Sequence, residues 1–259
     1  MHKAVNITII GSGNVATNLT LALHKSGHKI DCVYSRNLDN ASLLANKVGA
    51  KACNNQSNLA SQSDLFIIAV SDGAISDIAN SWNFNDATVV HTAGSVSLDT
   101  LKEASPNIGV LYPLQTFTKD KIIEFKTVPI LIEGSNKRTR KFLRYIADNI
   151  SDNTVEVDSQ QRLHTHIAAV FANNFTNHCI ATAQELLKND GINPDIISPL
   201  IVETFAKLQN LPASDIQTGP ARRNDKDTID KHLKALADNK NALETYKTIS
   251  SSITNKYKQ

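Results

Sequence analysis

The stretch Ile7-Thr8-Ile9-Ile10-Gly11-Ser12-Gly13-Asn14-Val15-Ala16-Thr17-Asn18-Leu19 decides the fold. Its first four residues are apolar or β-branched and read as a short buried strand. G-x-G-x-x-A follows, and then the first turns of a helix. Gly11 lets the chain turn tightly out of the strand, and Gly13 leaves the backbone bare enough for a pyrophosphate to come close. Ala16 is small enough for the helix to lie against the sheet. The free N–H groups at the helix start, with its positive dipole end, attract phosphate charge. Small residues also serve ordinary strand-to-helix turns, so the motif takes its meaning from the strand before it and the helix after it. Gly11, Ser12, Gly13, Asn14, Val15 and Ala16 are therefore the expected seat of a dinucleotide.

Working outward, a helix over 15–26 ends at Gly27, and a second strand over 29–34 leads into Ser35-Arg36-Asn37. An NAD site usually holds the ribose 2′-hydroxyl with a carboxylate at this point. Here there is none. A hydroxyl and a guanidinium suit a 2′-phosphate instead, through forked charge-assisted bonds. Ser35, Arg36 and Asn37 thus point to NADP, although an exposed Arg after a strand is also common.

Alternation continues with a helix over 38–48, a short strand over 51–53 and the apolar run Leu65-Phe66-Ile67-Ile68-Ala69-Val70. Such a run suits a strand covered on both faces. A helix over 73–80 precedes Thr88-Val89-Val90-His91. Further strands are expected at 109–111 and 128–132, and a helix at 137–150. Ligands of a doubly wound sheet gather beyond the strand carboxyl ends. Ala69, Val70, Ser71, Thr92 and Gly94 are therefore expected to line the ribose and nicotinamide. The segment 112–117 is placed to cover them. Near Asn153 the alternation gives way to helices, expected at 159–189, 195–210, 225–237 and 241–257. The chain reads as an α/β domain over 1–154, with a doubly wound, mostly parallel Rossmann-like sheet, followed by an all-α domain over 155–259.

The first of these later helices has no Lys, Arg, Asp or Glu from Leu163 to Gln184, yet carries three His and three Asn. At about 100° per residue, Ile167, Phe171, Phe175 and Leu186 share one face, and His166, Val170, Asn173, Asn177 and Gln184 the opposite one. A solvated polar face normally carries charge, so both faces are expected to be covered, the polar one by a cleft facing the cofactor. His166 is the candidate acid/base, since an ordinary imidazole titrates near neutrality; a hydrogen-bonded residue of the domain interface is the competing account. Asn173 and Asn174 would orient a substrate. His91, at a strand end near the expected nicotinamide, is a further candidate contact. His164 lies about 200° around the helix from His166, so the two cannot share a metal, and no metal site is expected. In Thr218-Gly219-Pro220-Ala221-Arg222-Arg223-Asn224-Asp225, Arg223 could grip a carboxylate or phosphate. Asp225 would cap the next helix ahead of Thr228 and His232. A capped loop with its Arg paired to an acid reads the same residues without function.

A net charge of +2 offers no field for holding nucleic acid. No apolar run approaches the ~20 residues of a membrane span. The first strand begins too early to leave room for a signal peptide. Cys32, Cys53 and Cys179 are few, odd in number and widely spaced, which suits reduced thiols. A cytoplasmic protein is expected.

Taken together these residues resemble a family that joins a Rossmann-like NADP-binding domain to a helical C-terminal domain of unknown function. The matching pieces are Gly11-x-Gly13-x-x-Ala16, Tyr34-Ser35-Arg36-Asn37, His91-Thr92-Ala93-Gly94-Ser95 and Tyr112-Pro113-Leu114-Gln115-Thr116-Phe117. In the second half they are His166-x-Ala168-Ala169-x-Phe171-Ala172-x-Asn174 and Gly219-Pro220-x-x-Arg223-x-Asp225-x-x-Thr228-x-x-x-His232. More distantly the chain is similar to pyrroline-carboxylate reductase, 6-phosphogluconate and 3-hydroxyisobutyrate dehydrogenases, and deazaflavin-dependent NADP reductase. That resemblance implies hydride transfer to or from NADP, with the helical domain supplying substrate contacts and dimerisation. The hydroxyacid dehydrogenases carry a catalytic Lys in Lys-x-x-Asn-Asn, whereas Val170 stands there in this chain. The resulting expectation is an NADP-dependent oxidoreductase acting on a C=O or C=N of a small, anionic metabolite, homodimeric through its helical half. In it His166 would move the proton, and Arg223, Asp225, Thr228 and His91 would contact substrate. A non-catalytic NADP-binding sensor or partner protein is the alternative, and a helical interaction module on an inert scaffold is a third.

Overall fold

The computed structural model describes residues 3–59 and 62–258. Its first half alternates as expected: β1 (Asn6–Ile10), α1 (Asn14–Lys25), β2 (Lys29–Tyr34), α2 (Leu38–Val48), β3 (Lys51–Cys53), β4 (Leu65–Ile68), α3 (Asp72–Ser81) and β5 (Thr88–His91). After these come β6 (Asn107–Pro113), β7 (Ile130–Gly134), α4 (Lys137–Ile150) and β8 (Thr154–Glu156). The strands form one sheet in the order β3-β2-β1-β4-β5-β6-β7-β8. All neighbours are parallel except β6 and β7, which run against each other with Gly109 opposite Gly134.

Chain direction around the sheet reverses between β1 and β4, so loops leave those two strands on opposite sides and open a crevice at their carboxyl ends. On one face Ile7 and Ile9 of β1, Leu65 and Ile67 of β4, and Ile130 and Ile132 of β7 meet Leu19 and Leu23 of α1, Leu44 of α2 and Leu143 and Ile146 of α4. On the other, Ile10, Phe66, Ile68 and Val89 meet Ile75 and Ala79 of α3. Each large aliphatic side chain so buried contributes about 1.5–3 kcal/mol. This double coverage is why the strands read as continuous apolar runs rather than alternating ones.

The long helix expected over 159–189 is three segments: α5 (Ser159–Ala169), a π-helical turn at Val170–Phe175 and α6 (Thr176–Asn189). Asp158 caps α5 in a reciprocal box with Gln161. Sequence places the change to helices at 154/155, but the compact units part within the π turn, between Asn174 and Phe175. The reason is that β8 is a rung of the sheet and α5 is tied to β7 through Arg162 and Glu133. The expected covering of both helix faces is not met either, since Ile167 and Phe171 are exposed, Phe171 by 64%.

The second unit holds α6, α7 (Ser198–Leu208), α8 (Lys226–Ala235) and α9 (Lys240–Tyr257). Pro199 falls in the first turn of α7, where its missing N–H costs nothing. Thr254 donates to the Ala221 carbonyl (3.1 Å), Tyr257 to the Ser214 carbonyl (3.1 Å), and His232 Nδ1 meets the Tyr246 hydroxyl at 2.7 Å. These bonds tie the 211–225 loop and α8 to α9.

Candidate functional site

Gly11 leaves β1 with φ +125°, and a Cβ built on it would lie 2.1 Å from the Ala69 carbonyl oxygen. Its N–H donates to the Tyr34 carbonyl at 2.8 Å. One bare residue therefore brings the ends of β1, β2 and β4 together. Gly13 is different: its φ is −77°, and a Cβ there would meet nothing within 4 Å. It precedes α1, whose first turn has no capping side chain and no acidic residue, so its N–H groups are open to an anion.

These residues edge a cavity of about 800 Å³. Of the sequence candidates, it is lined by Gly11, Ser12, Gly13, Asn14, Val15, Ser35, Arg36, Asn37, Ala69, Val70, Ser71, Thr92, Gly94 and His166. Ala16 is buried beneath it, where its small size lets α1 lie on the sheet. Ser12 donates to Ser35 at 3.0 Å, linking the glycine turn to the end of β2. Arg36 is exposed and has no acidic partner among the described residues. The Asn37 side-chain Oδ1 is committed to capping α2, accepting from the N–H of Asp39 and Asn40.

His166 lies against the loop after β5. A Cβ on Gly94 would fall 2.7 Å from its Cγ and Nδ1, so only glycine admits the ring there. Its Nδ1 is 3.0 Å from the Tyr112 hydroxyl, with the rings edge to face. Burial first, then the Asp72 carboxylate, raise the Tyr112 pKa above its ordinary value of 10.0, so the phenol stays protonated near neutrality. Ser95 donates to Asp72 across the same loop.

Other candidates fall elsewhere. His91 is fully buried and does not line the cavity; the Ala93 N–H donates to its Nδ1. Burial, with the Arg162 charge adding to it, lowers its pKa to about 4, so it is neutral at pH 7. Its place at a strand end read as access, but its side chain takes the inward position. Asn173 and Asn174 sit exposed in the π turn and do not line the cavity. Beyond Val170 the extra residue per turn voids the 100° spacing that grouped Asn173 with His166. Arg223, Asp225 and Thr228 belong to the second unit. Both Asp225 oxygens are taken by Thr228, through its N–H (3.1 Å) and hydroxyl (2.8 Å), and these bonds depress the Asp225 pKa. That pair is a helix cap.

Sequence reasoning passed over Lys119 and Arg162, and took Tyr112 only as part of the covering segment 112–117. Tyr112 lies at the carboxyl end of β6, the same rule that selected Thr92. Arg162 is the last charge before the charge-free run; it is 1% exposed and pairs with Glu133, Ser159 and the Val96 carbonyl. Lys119, in the loop after β6, lines the cavity without any local sequence signal.

No helix among the described residues is long and apolar enough to cross a membrane, and no cluster of three metal-binding side chains occurs among them. Comparison with family models matches residues 6–94 to the NADP oxidoreductase, coenzyme F420-dependent family and residues 128–253 to a domain of unknown function, DUF2520. The crystal structure of BF3122 from Bacteroides fragilis, described as a putative NADP oxidoreductase, is 38% identical. That likeness covers 97% of this chain and 98% of that one, with a TM-score of 0.90. TM1727 from Thermotoga maritima is 21% identical over 96% of this chain and 98% of that one, with a TM-score of 0.80. A reductive aminase from Aspergillus terreus, in complex with NADPH and ethyl levulinate, shares the fold at 14% identity. There the coverage is 98% of this chain and 93% of that chain, with a TM-score of 0.74. No curated protein matches. The chain belongs to the same family as the Bacteroides fragilis protein, its two halves matching the NADP oxidoreductase, coenzyme F420-dependent family and DUF2520 in turn.

Proposed function

We propose that the chain exchanges hydride between NADP and a C=O or C=N bond of a small metabolite, anionic in its preferred form, with His166 carrying the proton. The residues present fit NADP on their own terms: an open position at Gly13, an uncapped α1 and an Arg without an acidic partner at the end of β2. Gly13 and the first N–H groups of α1 would hold the pyrophosphate, and Ser35 and Arg36 the 2′-phosphate. The cofactor supplies the hydride. The chain supplies the proton and the geometry. The observation that carries this reading is His166 lining the same cavity as the glycine turn, its ring fixed by Tyr112 and Gly94.

The Tyr112 hydroxyl accepts from Nδ1–H of a protonated imidazole and goes on accepting from it once Nε2 has given up its proton, so the ring keeps its orientation through the transfer. Nε2 is left for the substrate. Such a pair suits general acid catalysis without the Lys that Val170 replaces. The described likeness to a reductive aminase makes imines as well as carbonyls the compounds to try.

The test is NADPH oxidation with a panel of keto acids, imines and deazaflavins, with neutral and anionic members of each class. One class is expected to turn over. His166→Gln should then lower kcat by about a hundredfold or more while leaving the NADPH Kd unchanged. Tight NADPH binding with no turnover on any compound would instead favour a non-catalytic sensor.

A homodimer through the helical half is part of this reading, supported by the exposed Ile196, Leu200, Val202 and Phe205. Light scattering should give twice the 28.3 kDa chain mass; a value of one chain removes the dimer. The low and odd number of cysteines, three in the chain, supports a reducing, cytoplasmic setting, which cell fractionation reads.

A further inference from the structure

Asn18 is an anomaly on α1. It is fully buried, about 100° around the helix from Leu19, and a leucine would fill a buried place at no polar cost. A buried amide must find partners. Its Nδ2 donates to the Asn14 carbonyl (3.0 Å) and to the Thr118 carbonyl (2.8 Å), and its Oδ1 accepts from the Ile123 N–H (3.2 Å). Two of these bonds reach about a hundred residues along the chain. They pin both ends of a loop, 118–123, to the first turns of α1. The stacked rings of Phe117 and Phe125, 5.6 Å apart and both buried, close its base. Lys119 follows the pinned Thr118 directly. It is exposed, lines the cavity beside Asn14 and has no acidic partner among the described residues.

We propose that Lys119 is a cofactor-binding residue whose ammonium closes over the pyrophosphate opposite Gly13, and that Asn18 is the positioning residue that holds it there. The inference rests on the NADP reading above. The Thr118 carbonyl shares one amide with the Asn14 carbonyl, so Lys119 is held at the start of α1, the end that carries the positive dipole. A second cation at that point counters a diphosphate more directly than the ribose phosphate, which Ser35 and Arg36 serve. The two cations thus divide the cofactor's charges between them.

The test is direct binding of NADPH and NADH, without substrate, by calorimetry on the full chain. Lys119→Met is expected to weaken both cofactors by about tenfold and leave their ratio unchanged, because both carry the pyrophosphate. Lys119→Arg should restore most of the loss. Arg36→Ala should weaken NADPH far more than NADH. Asn18→Ala should weaken both cofactors in the wild-type background and add little to Lys119→Met, the non-additivity expected if Asn18 acts through Lys119. Lys119 is exposed, so its variants report even where Asn18→Ala lowers stability. An unchanged Kd in Lys119→Met overturns the proposal, as does a loss confined to NADPH. Wild-type protein that binds neither cofactor would overturn the NADP reading itself.

Discussion

Gly13→Ala is expected to weaken NADPH binding by about ten- to a hundredfold while leaving the ligand-free protein as stable as wild type. Position 13 has φ −77°, and a methyl group there meets nothing within 4 Å, so the fold itself has no reason to object. The methyl occupies the space through which a pyrophosphate reaches the backbone. Gly11→Ala is the necessary contrast. At φ +125°, with the added carbon 2.1 Å from the Ala69 carbonyl oxygen and 2.8 Å from its carbon, the clash is with backbone that cannot rotate away. Backbone strain alone costs about 1–3 kcal/mol there, and the β1–β4 junction must also shift. Thermal melts with and without NADPH separate the two. Gly13→Ala should melt with wild type but gain little from the cofactor, and Gly11→Ala should melt lower in both conditions. A wild-type NADPH shift in Gly13→Ala would remove the glycine turn from the binding site.

The other large effect concerns a buried ion pair. Glu133 of β7 meets Arg162 of α5, whose guanidinium is 1% exposed. The pair is fitted out with Ser159, which donates to Glu133 at 2.9 Å, and with the Val96 carbonyl. The Arg162 Nε nonetheless has no hydrogen-bond partner among the described residues, so the charge depends heavily on Glu133. Removing one member of such a pair strands the other, at about 3–5 kcal/mol. Glu133→Ala is expected to lower Tm by on the order of 10 °C. Replacing both partners, as Glu133→Leu with Arg162→Met, should recover much of that, because no bare charge is left behind. A single substitution that costs under about 1 kcal/mol would mean that water reaches the guanidinium.

What was legible in the chain was local. The glycine turn, the apolar strands and the absent carboxylate after β2 are short patterns with periods of two or 3.6 residues, and α2 and α4 fall where periodicity puts them. Interactions that depend on chain return were not legible. Arg162 and Glu133 lie 29 residues apart, and nothing near either marks the other. Lys119 becomes a cavity residue only through Asn18, about a hundred residues away. The π turn escaped because a helix that gains a residue keeps the same composition, so Asn173 was grouped with His166 by an angle that no longer held. His91 was misjudged because strand position fixes depth along the sheet, while the pleat decides which way the side chain points.

One reversal of strand polarity decides where His166 ends up. Since β7 opposes β6 and β8 copies β7, the chain leaves β8 heading away from the edge where Gly11, Ala69 and Thr92 emerge. The helix that follows has to travel back. It passes the Val96 carbonyl at Arg162 and, one turn or about 6 Å higher, arrives at Gly94 and Tyr112 with His166. Had every strand pointed the same way, that helix would have set out from the rim of the cavity and carried its imidazole off toward the floor of the sheet.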